Sequence, residues 1–328
     1  MAFKVGLTRD LLTPDGNPSF GAAALQTLDN ASEIEWEYLA DNCTEITPDM
    51  AAAYDGLYVN TPLVTAATVA RDDCRVKIVA RHGVGYDSVD VAALAAKGVV
   101  VTNTPEAIRR PVAVASITMI TALAGRLFAK DRITRSNDWG QRTAHMGIGL
   151  IGRRLCVVGI GGIGKELLRM VAPFEFDLLA VDPVTDTATI EALGARHVSL
   201  QEGLKQADFV VVCCLLNDET FHLIGKAELA LMKPEAFLIN MARGPVVDEA
   251  ALIAALQAKQ IAGAGLDVFE QEPTAPDNPL LAMDQVILTP HSLCWTDQCF
   301  HDIASDGLGC IVDIAQGRRP RFVVPGSA

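Results

Sequence analysis

Short apolar runs alternate with stretches of helical periodicity from one end of the chain to the other. Those at 3–7, 56–59, 76–80 and 99–101 have the length and near-continuous apolar character of strands buried on both faces. Between the last two, Asp90 can cap a helix through Lys97, with Gly98 as its stop. The alternation resumes with expected strands at 155–158, 178–181, 209–213, 236–240, 261–266 and 286–288, and helices at 162–173, 187–193 and 248–258. Strands alternating with helices predict an α/β fold of parallel sheets covered on both sides. Asn103-Thr104-Pro105 ends one strand ahead of a long helix, and Leu288-Thr289-Pro290 ends another ahead of a tail too short to fold alone. The expected organisation is an outer domain of residues 1–104 and 292–328, interrupted by a continuous inner domain of residues 105–291, each a doubly wound sheet.

Composition narrows the possible partners. The 328 residues are half hydrophobic, and 27 Lys+Arg against 40 Asp+Glu give a formal charge of −13. A field of that sign repels nucleic-acid backbones and anionic lipid, so neither nucleic acid nor membrane is expected as a partner, and an anionic ligand would need locally placed arginines. The uncharged stretch 111–125 is shorter than the roughly 20 residues needed to cross a bilayer. The first residues lack the apolar core of a secretion signal. Eight cysteines occur without a C-x-x-C pair, which fits a reducing, cytoplasmic setting. His291, Cys294, Cys299 and His301 have metal-ligand side chains, but on a helix Cys299 and His301 would diverge by about 200°. No metal is expected.

The most specific local signal is Val157-Val158-Gly159-Ile160-Gly161-Gly162-Ile163-Gly164, a G-x-G-x-x-G that follows a strand and opens a helix. In such a turn Gly159 permits the tight bend, Gly161 lets a diphosphate approach, and Gly164 allows close helix–strand packing, while the helix N-terminus around Gly162 and Ile163 offers N–H donors. The next strand ends in Asp182, 18 residues beyond Gly164. A carboxylate there accepts from ribose hydroxyls and repels a 2′-phosphate, so the cofactor expected is NAD(H) rather than its 2′-phosphorylated form. Arg243, Glu272 and His291 each follow an apolar strand. In a parallel sheet those positions face the ligand, and together they offer an anion binder, a carboxylate and a proton donor.

With these residues in place the chain resembles the D-isomer-specific 2-hydroxyacid dehydrogenases, including hydroxypyruvate and glyoxylate reductases and phosphoglycerate dehydrogenases. The blocks NMARGPVVDEAAL (240–252), GLDVFEQEP (265–273), LTPHS (288–292), RHGVGYDSVD (81–90) and VVVTNTPE (99–106) carry the likeness, from about residue 57 to 292. The resemblance implies a Rossmann cofactor domain inserted in a flavodoxin-like substrate domain. It implies Arg243 as the substrate-orienting cation, His291 as acid/base and Glu272 as its partner. It further implies cofactor contacts at Cys214, Leu215 and Asp267, substrate carboxylate binding near Val84 and Gly85, and a homodimer built through the cofactor domain. The substrate implied is a small anionic 2-oxoacid or 2-hydroxyacid, expected here to be polar, such as hydroxypyruvate or a sugar-acid-derived oxoacid. A chain of this length is expected to lack the appended regulatory domain of some phosphoglycerate dehydrogenases.

Several positions depart from the family pattern. Cys213-Cys214-Leu215 stands where a histidine and a proline are common, Val114 where a glutamate is common, and Leu293-Cys294-Trp295 where residues are often small. Trp295 is open to two readings, pocket wall or core packing, and Arg109 and Arg110 to two, ligand-facing or solvated. The alternative function is an NAD-sensing binding module like the family's transcriptional corepressor relatives. A formate-type dehydrogenase is disfavoured by Glu272, since hydride abstraction alone needs no carboxylate behind the histidine.

Overall fold

The computed structural model describes residues 2–327. The chain forms two compact units, one of the residues up to Ile108 joined by those from Trp295 onward, and one of Arg109–Cys294. These divisions fall three or four residues later than the sequence placed them, for local reasons. Thr104 exchanges hydrogen bonds with Gly83, from its N–H to the Gly83 carbonyl (2.9 Å) and from the Gly83 N–H to its hydroxyl (3.1 Å), which holds it in the first unit. Ser292 and Leu293 donate to Asp267, which holds them in the second.

In the first unit, β1 (Phe3–Leu7), β2 (Ile34–Tyr38), β3 (Gly56–Val59), β4 (Ile78–Arg81) and β5 (Val100–Thr102) form an all-parallel sheet of order β2-β1-β3-β4-β5. That is the flavodoxin-like winding. Val5, Leu7, Tyr58, Ile78 and Ala80 line one face and pack on Phe300, Ala304, Leu308 and Ile311 of the helix Asp297–Ala315. Each fully buried side chain of this kind contributes on the order of 1.5–3 kcal/mol. Gly307 lets the helix come this close, since a Cβ there would lie 2.6 Å from the Tyr58 ring. The strand β2 escaped the apolar-run pattern because Ile34, Trp36 and Tyr38 alternate with exposed Glu35 and Glu37, as suits a sheet edge.

In the second unit, β6 (Arg154–Val158), β7 (Asp177–Val181), β8 (Ala195–His197), β9 (Phe209–Val212), β10 (Phe237–Asn240), β11 (Gly263–Leu266) and β12 (Val286–Leu288) are again all parallel, in the order β12-β11-β10-β9-β6-β7-β8. Counted from β6, this is the Rossmann winding, whose strand order reverses between β6 and β9. The central strands β9, β10 and β11 are buried throughout, which is why they read as continuous apolar runs. Asp186, Ser199 and Asp248 cap the helices Thr187–Ala192, Leu200–Gln206 and Glu249–Gln257 by accepting from Thr189, Glu202 and Ala251 N–H. The helix Arg109–Gly125 is the long element expected after Pro105. Arg126, in the left-handed region at φ 51°, breaks it from Leu127–Arg135, none of whose residues is buried. Among the described residues no single helix is long and apolar enough to cross a membrane.

Candidate active site

The glycine loop joins β6 to the helix Gly162–Val171, and each glycine has a distinct reason to be there. Gly159 sits at φ 96°, and a Cβ on it would lie 2.5 Å from the backbone nitrogen of Cys214, so the β6 turn closes against the end of β9. A Cβ on Gly164 would meet the Gly159 carbonyl oxygen at 2.1 Å, which fixes how tightly the helix returns over its own strand. Around Gly161 nothing lies within 4 Å of that position, which leaves the surface open for a diphosphate. The first turn of Gly162–Val171, with Ile163 in it, aims its N–H groups at that opening.

Asp182 follows β7 and accepts from Ile160 N–H (2.7 Å) in the glycine loop and from Val184 (2.8 Å) and Thr185 (2.6 Å) N–H. Burial pushes its carboxyl up, but these donors outweigh it and hold the group below the ordinary carboxylate range. Asp182 is therefore ionised and fixed to the loop, with acceptor capacity left for a ribose hydroxyl. His197, whose partners were not evident in the sequence, comes within 3.0 Å of the Asp182 carbonyl through Nε2 and 2.8 Å of the Thr187 hydroxyl through Nδ1. Beside the loop, burial raises the thiols of Cys213 to about 12 and Cys214 to about 11, so both are neutral. Leu215 is exposed.

At the carboxyl ends of β10, β11 and β12 the sheet carries side-chain chemistry instead. His291 Nδ1 lies 2.8 Å from Glu272 Oε2, and Glu272 Oε1 accepts from Phe269 N–H at 2.9 Å. Burial pushes the Glu272 carboxyl up, but the His291 hydrogen bond, the Phe269 N–H and the nearby His291 and Arg243 charges hold it below the ordinary value. An ionised Glu272 on Nδ1 leaves the other ring nitrogen, Nε2, on the side away from the carboxylate and balances the ring's positive form. His291 itself sits at φ 52°, a strained conformation for a non-glycine residue. Asp267 supports that turn, because its Oδ1 accepts from the Thr289 hydroxyl (2.6 Å) and from Ser292 (3.0 Å) and Leu293 (3.1 Å) N–H. Burial raises the Asp267 carboxyl, against the pull of those donors.

Arg243 Nη1 donates to the Ala242 carbonyl at 2.8 Å. Its backbone is held by buried Asn240, which donates to the Arg243 carbonyl (2.9 Å) and accepts from Ala242 N–H (3.1 Å). Sequence reasoning passed over Asn240, although a polar residue closing the apolar strand β10 was a usable signal.

Val84, Gly85 and Trp295 belong to the first unit. Asn103 donates to the Val84 carbonyl at 2.7 Å, and among the described residues the N–H groups of Val84 and Gly85 have no acceptor. Trp295 is half exposed, edge-on to Phe300 with ring centroids 4.9 Å apart, which removes the core-packing reading. His82 is a core residue: its Nδ1 lies 2.6 Å from the Tyr58 hydroxyl, and burial, helped by Arg81, pushes its ring down to about 3. His222 pairs with Glu270 at 2.8 Å near Asp248. Arg110 is committed to Glu166 at 3.1 Å, and Arg109 lies against Gly162.

Residues 117–292 match the family model described as D-isomer specific 2-hydroxyacid dehydrogenase, NAD binding domain. The chain is 40% identical over 221 residues to a glyoxylate reductase of Korarchaeum cryptofilum, covering 66% of this chain and 67% of that protein. It is 34% identical over 271 residues to a D-3-phosphoglycerate dehydrogenase of Archaeoglobus fulgidus, covering 83% of this chain but 51% of that protein. Among solved structures, D-lactate dehydrogenase of Aquifex aeolicus complexed with NAD and lactic acid superimposes with a TM-score of 0.83 at 25% identity, over 95% of this chain and 96% of that one. The TT0316 protein of Thermus thermophilus does so with a TM-score of 0.85 at 27% identity, over 98% and 100%. The glycine loop, the ionised Asp182 and the His291–Glu272 pair agree with these likenesses, and the chain belongs to the NAD-dependent D-isomer specific 2-hydroxyacid dehydrogenase family.

Proposed function

We propose that this chain interconverts a small, polar 2-oxoacid and its D-2-hydroxyacid with NAD(H) as the redox partner, glyoxylate and hydroxypyruvate being the first candidates. The observation that carries the reading is the 2.8 Å His291–Glu272 pair on the same sheet end as Arg243, in the unit that holds the glycine loop. Bound NADH supplies the hydride. In reduction, protonated His291 gives its proton to the substrate carbonyl oxygen, and Glu272 stabilises the positive ring beforehand. Arg243 holds the substrate carboxylate and polarises the carbonyl. In the first unit, the unclaimed N–H groups of Val84 and Gly85 have the chemistry of carboxylate donors.

The polar character of the substrate rested on Arg109 and Arg110 as well as Trp295. Arg110 is occupied by Glu166 and the Arg109 stem lies over Gly162 of the glycine loop, so the preference for a larger, sugar-derived acid loses that support. The glyoxylate reductases among the relatives favour a compact one. Oxidation of NADH with glyoxylate, hydroxypyruvate, pyruvate and 2-oxoisocaproate tests the reading. The first two should give the highest kcat/KM. A folded protein that binds NADH and turns over none of the four would favour the sensing module instead.

The homodimer is part of the same proposal. Leu127, Phe128, Trp139, Met146 and Ile151 are all at least half exposed and lie on one stretch of the second unit, a patch that suits a second copy of the chain. Light scattering should give twice the chain mass, and Phe128→Asp with Trp139→Asp should give the monomer. A cytoplasmic location is supported by eight free thiols.

A further inference from the structure

Arg109 and Arg110 open the helix Arg109–Gly125, and a helix turns adjacent side chains about 100° apart. Their surroundings differ accordingly. Arg110 pairs with Glu166 at 3.1 Å. Arg109 runs over the glycine loop, where a Cβ built on Gly162 would lie 2.6 Å from its Nε, 3.0 Å from its Cδ and 3.2 Å from its Cγ. Its stem thus occupies the space that a side chain at the first position of Gly162–Val171 would fill. Among the described residues no carboxylate or carbonyl engages its exposed guanidinium.

That placement is unfavourable by itself. The N-terminus of the helix carries about half a positive charge, and the arginine adds a full one to the same patch without a counter-charge. An anion bridging the two relieves both. A diphosphate has the charge and the spread of oxygens to take helix N–H groups on one side and a guanidinium fork on the other. Gly161 leaves the approach open, and bare Gly162 gives the Arg109 stem its seat.

We propose that Arg109 is a cofactor-binding residue that closes over the diphosphate of NAD(H), supplying from a different element the cationic side chain that the loop lacks. The inference rests on the cofactor reading and adds one residue to it. Titration of NADH and of ADP-ribose into the parent, Arg109→Gln and Arg109→Lys tests it. Arg109→Gln should weaken both ligands about tenfold and Arg109→Lys less, because lysine keeps the charge but loses the fork. The melting temperature without ligand should hold. Added salt should weaken ADP-ribose binding more steeply in the parent than in Arg109→Gln. Affinities of Arg109→Gln within twofold of the parent, or equal salt dependence, would overturn the assignment. A parent that binds neither ligand would overturn the cofactor reading itself.

Discussion

The two working ends of the seven-stranded sheet are built on opposite principles. After β6 the sheet presents backbone, and its glycines matter for what they lack: a Cβ is barred at Gly159 and Gly164, and the space around Gly161 is open. After β10, β11 and β12 it presents side chains, with each functional group tethered by a polar partner. Asn240 holds Arg243, Asp267 holds the His291 turn, and Glu272 holds the ring. The first end offers chiefly backbone donors. The second can move protons but has little with which to grip a dinucleotide. Substitutions should therefore separate binding from turnover.

The largest effect belongs to Gly164→Ala. Its new methyl would meet a backbone carbonyl that cannot swing aside, so NADH binding should disappear in a fluorescence titration and the melting temperature should fall. Retained NADH binding would mean that the helix can ride away from β6. At the other end, His291→Ala and Arg243→Ala should each lower kcat/KM by at least about a hundredfold while NADH affinity changes little. Loss of cofactor binding in either variant would erase the contrast between the two ends.

Asp182 gives an intermediate effect. An ionised carboxylate that takes the ribose hydroxyls repels a 2′-phosphate, so kcat/KM should favour NADH over NADPH by about tenfold or more. Equal use of both would place the ribose elsewhere. The smallest effect is expected from Glu272→Gln, which preserves shape but removes the counter-charge and leaves one acceptor oxygen where Phe269 N–H and His291 Nδ1 now have two. Reduction should then slow, because the positive ring loses its counter-charge. Glu272 also lies below its ordinary range when folded, so its contribution to stability is present above about pH 4.3 and is lost as pH falls through the folded value. Chemical denaturation in acid should show a shallower decline in the variant. Matching profiles would remove Glu272 from the machinery.

Legibility in the sequence followed the range of the interactions. The glycine loop was readable because turn, helix start and close packing are all encoded within six residues. The pairing of Glu272 with His291 spans 19 positions; their places after apolar strands put both at the same sheet end, and the family resemblance named them as partners. Edge strands β2 and β8 were missed because an edge needs no continuous apolar run. The different fates of Arg109 and Arg110 depend on which way one helix faces, and neighbouring identical residues cannot announce that.

The path of the chain through the first unit also sets a timetable. The face formed by Val5, Leu7, Tyr58, Ile78 and Ala80 is complete once β5 has been made, yet its cover is the helix Asp297–Ala315. At a synthesis rate of about 5–20 residues per second, that sheet waits roughly 10–40 seconds for its covering helix while the entire second unit emerges and can fold. During that interval only the early residues Leu11, Phe20, Leu25 and Leu28 cover that apolar face, and the contacts of Phe300, Ala304, Leu308 and Ile311 are still missing.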